Sequence, residues 1–115
     1  PGSGVWSVEA TLTGHSDEVY CVAVLADGRF VTGSYDNTVK VWKESSSGSG
    51  VWSVEATLTH QRAVMCVAVL PDGPTNSVLG SNSLDERSAK QVRLATGSWD
   101  KTVKVWGRVD FVRLR

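Results

Sequence analysis

The sequence predicts an all-β chain built from two consecutive copies of one unit, each copy giving four short antiparallel strands. Three observations predict it. The segment Gly2–Thr13, GSGVWSVEATLT, recurs unchanged as Gly48–Thr59, and an internal repeat sets the architecture before any local reading does. Short runs rich in valine, threonine and aromatics alternate with turn residues, the pattern of strands joined by tight connections. No stretch carries apolar residues at spacings of three and four without an interrupting glycine or β-branched run, so no helix is expected.

The elements follow in chain order. Residues 1–4, PGSG, form a leader without the basic and apolar regions of a signal peptide. The first repeat, 5–42, gives strands at Val5–Leu12, Val19–Leu25, Arg29–Gly33 and Thr38–Trp42. Ala26-Asp27-Gly28 turns the second strand into the third, and Tyr35-Asp36-Asn37 turns the third into the fourth. Residues 43–50, KESSSGSG, are a flexible Gly/Ser-rich connection. The second repeat, 51–106, gives the same set at Val51–Leu58, Ala63–Leu70, Arg93–Gly97 and Thr102–Trp106. Here VYCVAVLADG (Val19–Gly28) returns as VMCVAVLPDG (Val64–Gly73), and TGSYDNTVKVW (Thr32–Trp42) returns as TGSWDKTVKVW (Thr96–Trp106). Between them the second copy carries an insert, 74–92, whose Ser, Asn and charged residues cannot bury much surface and predict a loop. The tail, 107–115, departs from the repeat, although its alternating pattern is that of a strand. The run Val19–Leu25 is apolar on both faces and therefore needs cover on both sides.

Composition narrows the function classes. Twelve basic and twelve acidic side chains cancel, leaving no field to gather nucleic acid or an anionic membrane surface. No apolar run approaches the ~20 residues that cross a bilayer, and a soluble, cytoplasmic chain is expected. Cys21 and Cys66 occupy equivalent places in the two copies. They read as buried free thiols repeated with the fold, not as a disulfide.

From Val5 to Trp106, the insert apart, the chain resembles the WD-repeat family, whose repeats run from a Gly-His pair to a Trp-Asp pair through an Asp-Gly turn and a Ser/Thr-Gly-Ser-x-Asp segment. Gly14-His15, Asp27-Gly28, Thr32-Gly33-Ser34-Tyr35-Asp36 and Trp42 fill those places in the first copy. His60, Asp72-Gly73, Thr96-Gly97-Ser98-Trp99-Asp100 and Trp106 fill them in the second, which lacks the glycine before its histidine. Lys43 and Gly107 stand where the family has the aspartate after tryptophan.

The resemblance implies two four-stranded antiparallel β-propeller blades. It also implies a hydrogen-bonded tetrad in each: His15, Thr32, Asp36 and Trp42, then His60, Thr96, Asp100 and Trp106. Such a network is physically reasonable, because a buried imidazole and hydroxyl need replacements for their water partners. Thr or Ser, His and Asp are also the parts of an acyl-transfer site. The G-x-S-x-G elbow is absent, however, and the set recurs once per repeat as a fold requirement does. Neither CxxC nor HxxxH spacing occurs. No enzyme, no metal and no cofactor is expected.

In this family the sequence repeat is shifted against the blade, so Val5–Leu12 resembles the outermost strand of a blade whose three inner strands lie elsewhere, and in a ring of copies it is expected to complete the blade made by Ala63–Trp106 of an adjacent chain. Trp6 and Trp52, at matching places on that strand, are expected to lean on the blade's rim or on a neighbouring blade. Two blades leave two outer faces bare, and a few hundred Å² of apolar face in water costs several kcal/mol at ~25 cal/mol per Å². Propellers close with roughly four to eight blades. A ring of other copies of the chain is therefore expected, four copies with eight blades being favoured over three copies with six. The resemblance further implies protein or peptide ligands on the face where the turns before the second and fourth strands emerge, with Glu18, Tyr20, Tyr35, Met65 and Trp99 as the candidate side chains there. The unchanged recurrence of Gly2–Thr13 means either a young duplication or deliberate construction, and its Gly-Ser brackets keep a designed or selected self-assembling propeller without a natural ligand as the alternative.

Overall fold

Seven strands run through residues 4–71 and 87–113, the residues described in the computed structural model. The first three residues of the expected leader 1–4, the Asp72-Gly73 turn, the insert up to residue 86 and the last two residues of the tail lie outside them. Strands β1 (Val19–Val24), β2 (Phe30–Ser34), β3 (Thr38–Glu44) and β4 (Trp52–Thr59) form one antiparallel sheet in that order. Strands β5 (Val64–Val69), β6 (Arg87–Ser98) and β7 (Val103–Arg113) form a second.

The sheets are cut differently from the repeats. β4 belongs to the second repeat but completes the first sheet, with Val39 opposite Leu58, Val41 opposite Ala56 and Trp42 opposite Val54. The register shifts there, leaving Glu55 as an extra residue on β4, a bulge that twists the strand locally. The Glu55 carboxylate accepts from Arg29 Nη1 at 2.7 Å, and Arg29 also pairs with Asp27 at 2.8 Å. Phe30 lies over both Trp42 and Trp52, with ring centroids 6.3 and 5.0 Å away.

The core lies between the two sheets. Leu25, Val31, Val39 and Val41 of the first meet Val64 and Leu94 of the second. Gly33 permits the approach: a Cβ there would sit 2.6 Å from Cys21 Sγ and 2.7 Å from Val64 Cγ1. Gly28, at φ 94°, supplies the left-handed conformation that the β1–β2 turn requires.

Five expectations need correction. Val5–Leu12 forms no strand, although its copy forms β4; a strand needs an edge to pair with, and β3 is already taken by β4. The second sheet accordingly has three strands, not four. Cys66 is exposed and Cys21 only half-buried, because the face that carries Cys66 is not covered by another sheet. For the same reason Val19, Val22 and Val24 of the doubly apolar run are exposed. Finally, the end of the insert is not loop: Arg87–Val92 lengthens β6, and it pairs with Arg108–Arg113 of the tail, whose alternation suits that role.

Candidate interaction site

Each sheet carries one buried polar network. In the first, the Trp42 indole N–H donates to Thr32 Oγ1 at 2.8 Å, and Thr32 Oγ1 lies 2.6 Å from His15 Nε2. His15 Nδ1 lies 2.8 Å from Asp36 Oδ2. Since a carboxylate can only accept, the ring proton sits on Nδ1, and Nε2 accepts the Thr32 hydroxyl proton. The second sheet repeats the chain: Trp106 Nε1 to Thr96 Oγ1 at 2.8 Å, Thr96 Oγ1 to His60 Nε2 at 2.6 Å, and His60 Nδ1 to Asp100 Oδ2 at 3.0 Å.

Two hydroxyls in these networks escaped the sequence reading. Thr38 donates to Asp36 Oδ1 at 2.5 Å, and Thr102 donates likewise to Asp100. The identical Asp-x-Thr spacing in the two copies was the signal, since a carboxylate two residues ahead caps such a turn. Burial works against the Asp36 carboxylate, but the Thr38 hydroxyl, the His15 ring and the Ser16 and Thr38 amides outweigh it and hold its pKa well below the ordinary value. For Asp100 the Thr102 hydroxyl leads, with His60 and two amides adding to it against desolvation, and again the pKa falls well below the carboxylate range. The two oxygens of each carboxylate are thus held by hydroxyl, ring and amide donors of its own sheet. Among the described residues, no three His, Cys, Asp or Glu side chains converge as metal ligands.

The same turns project aromatic rings outward. The Ser34 hydroxyl donates to the Glu18 carbonyl at 2.7 Å, and the Tyr35 amide donates to that carbonyl at 2.8 Å. Ser98 and Trp99 hold the Ala63 carbonyl in the same manner, at 2.9 and 3.0 Å. These clamps place Tyr35 and Trp99 in neighbouring sheets edge to face, 5.5 Å between centroids, and Tyr20 meets Tyr35 edge to face at 5.7 Å. All three rings are exposed. Desolvation, then the nearby Glu18, Tyr35 and Asp17, raise the Tyr20 phenol above its usual pKa. A cleft of about 310 Å³ opens beside Tyr35 and Trp99, lined also by Asn37, Gln61, Arg62 and Ala63. Glu18 is exposed next to Tyr20, whereas Met65 is half-buried on β5 and makes no part of this cleft. Trp52 packs on Phe30, but Trp6 is 97% exposed and stacks on no ring among the described residues.

The model of the family described as WD domain, G-beta repeat, matches residues 4–43 and 52–107. This chain belongs to the WD-repeat family. It is 33% identical over 100 residues to the ribosome biogenesis protein WDR12 homolog of Drosophila sechellia, a match covering 84% of this chain and 20% of that protein. The Drosophila erecta homolog is 32% identical over the same shares. The human intraflagellar transport protein 122 homolog is 41% identical over 61 residues, covering 52% of this chain and 4% of the relative. The WD repeats described here thus span about a fifth of the length of the WDR12 homologs they match. No solved structure matches. Both sheets have the antiparallel make-up of WD blades, and the networks at His15 and His60 lie one in each.

Proposed function

We propose that the chain is a non-catalytic WD-repeat scaffold in the cytoplasm, which binds protein or peptide ligands through Tyr20, Tyr35 and Trp99 and assembles with other copies of itself. The observation that carries the binding half is the row of three exposed rings spanning two sheets and held by backbone clamps. Rigid aromatics cost little entropy to place and supply most of the energy at protein interfaces. The relatives are named for different processes, ribosome biogenesis and intraflagellar transport, so what they share with this chain is the repeat and not a process. The assembly half rests on the uncovered faces and the unpaired Val5–Leu12 segment. Four copies making eight blades are favoured over three making six.

Selection of a displayed random-peptide library on the wild-type chain and on a Tyr35→Ala/Trp99→Ala variant tests the binding half. Enriched peptides are expected to lose about a hundredfold in affinity on the variant, with its urea midpoint unchanged. Should the two chains enrich the same peptides, or none, the second reading gains: a designed self-assembling propeller with no ligand, favoured by the unchanged Gly2–Thr13 and Gly48–Thr59 copies. Light scattering tests the assembly half, where a species of four chains of 12.4 kDa is expected.

A further inference from the structure

Two nearly identical repeats let the interface inside the chain describe one that the chain leaves open. Inside, Cys21 and Ala23 of β1, Val31 and Gly33 of β2 and Val39 and Val41 of β3 face the second sheet, and Val64, Val67 and Val69 of β5 cover them. The second sheet presents the equivalents of the first set, namely Cys66, Ala68, Ala95, Gly97, Val103 and Val105. The first sheet presents the equivalents of the second set, Val19, Val22 and Val24. Inside the chain Val39 and Val41 are 0% and 7% accessible; Val103 and Val105 are 73% and 58%. Val19, Val22 and Val24 are likewise exposed where Val64 is fully buried. The two open faces are the two halves of the interface already made.

The edges tell the same story. TVKVW occurs in β3, where β4 pairs with it, and again at Thr102–Trp106, on the outer edge of the second sheet. The sequence of β4 occurs again at Trp6–Thr13, which pairs with no strand among the described residues. The extra residue of β4, Glu55, bonds Arg29 at 2.7 Å; the equivalents are Glu9 and Arg93, both exposed.

We propose that a second copy of this chain docks on the outer face and edge of the β5–β7 sheet in the geometry that this sheet adopts on β1–β4. This rests on the self-assembly reading above. The second copy lays Val19, Val22 and Val24 over Cys66, Gly97, Val103 and Val105. Its Trp6–Thr13 segment adds beside β7 with Leu12 opposite Val103, Ala10 opposite Val105 and Val8 opposite Trp106, and its Glu9 bulges towards Arg93. The contact is head-to-tail, so each copy offers both halves and rotation can close a ring.

The test uses the whole chain, with its mass followed by light scattering while Cys21 and Cys66 are labelled with a maleimide. On assembly the Cys66 labelling rate is expected to fall by about tenfold or more, to the rate of Cys21. Glu9→Arg and Arg93→Glu are each expected to weaken assembly by about tenfold, and the double swap to restore it. A monomer at every concentration overturns both the self-assembly reading and this docking geometry. An oligomer in which Cys66 labels as fast as in the dilute chain, or which the double swap does not rescue, overturns the geometry and leaves self-assembly standing.

Discussion

At the scale of single residues, Thr32 holds the most exposed position energetically, because its one hydroxyl serves both Trp42 and His15. Thr32→Val keeps the shape but leaves a buried indole N–H and an imidazole nitrogen unpaired. We expect a loss of about 2–4 kcal/mol, read as a lower urea midpoint at unchanged slope, with Thr32→Ser restoring most of it. Asp36 carries the pH dependence. Its folded pKa lies below its unfolded one, so its contribution is present in full above the ordinary carboxylate range and is lost as pH falls through that range towards the depressed value. The denaturation midpoint is expected to drop between about pH 5 and pH 2, and Asp36→Asn to flatten that part of the curve. Lys101 adopts φ 72°, where its counterpart Asn37 adopts φ 75°. Asparagine enters the left-handed region at lower cost than lysine, so Lys101→Asn is expected to stabilise the chain by about 0.5–1 kcal/mol in thermal or urea melts.

At the scale of elements, strand pairing overrode local preference in one place and followed it elsewhere. The runs that became β1, β2, β3, β4 and β5 were legible within a residue or two of their ends, because valine-rich segments bounded by Asp-Gly or Ser-x-Asp-x-Thr leave little choice. The lengthened β6–β7 pair was only half legible: the tail alternates as a strand does, but the end of the insert reads as loop and became strand by pairing with the tail. The contact of β5 with β1 and β2 turns on a missing side chain. Gly33→Ala puts a methyl within 2.6–2.7 Å of Cys21 and Val64, and a loss of about 1–3 kcal/mol is expected. Gly97→Ala meets only Cys66 Sγ, at 2.8 Å, and is expected to be better tolerated in dilute chain than in the assembly, a difference that melts at two concentrations will show.

At the scale of the whole molecule, the self-assembly proposed above would tie stability to concentration. A chain whose outer faces are covered only by its neighbours gains folding free energy from association. The thermal midpoint is therefore expected to rise as chain concentration rises, and a midpoint independent of concentration counts against assembly. The aromatic row belongs to this scale as well. Tyr35 and Trp99 belong to different repeats, but they make one surface because the two sheets pack together, and Tyr20 of β1 joins them through Tyr35. Tyr20 and Met65, at equivalent places in the two repeats, both lie outside the cleft; Tyr20 reaches the row through its edge-to-face contact with Tyr35, while Met65 is half-buried on β5.

Residue order was enough for the repeat and for the strands β1 to β5, and through the resemblance it carries, for the two His-Thr-Asp-Trp networks. Those depend on patterns that span a few tens of residues and recur. It was not enough to tell Val5–Thr13 from Val51–Thr59, which are the same residues in the same order. One became an edge strand with buried partners and the other pairs with no strand. The difference lies wholly in whether a neighbouring edge offers its N–H and C=O groups, and that is a property of the folded arrangement.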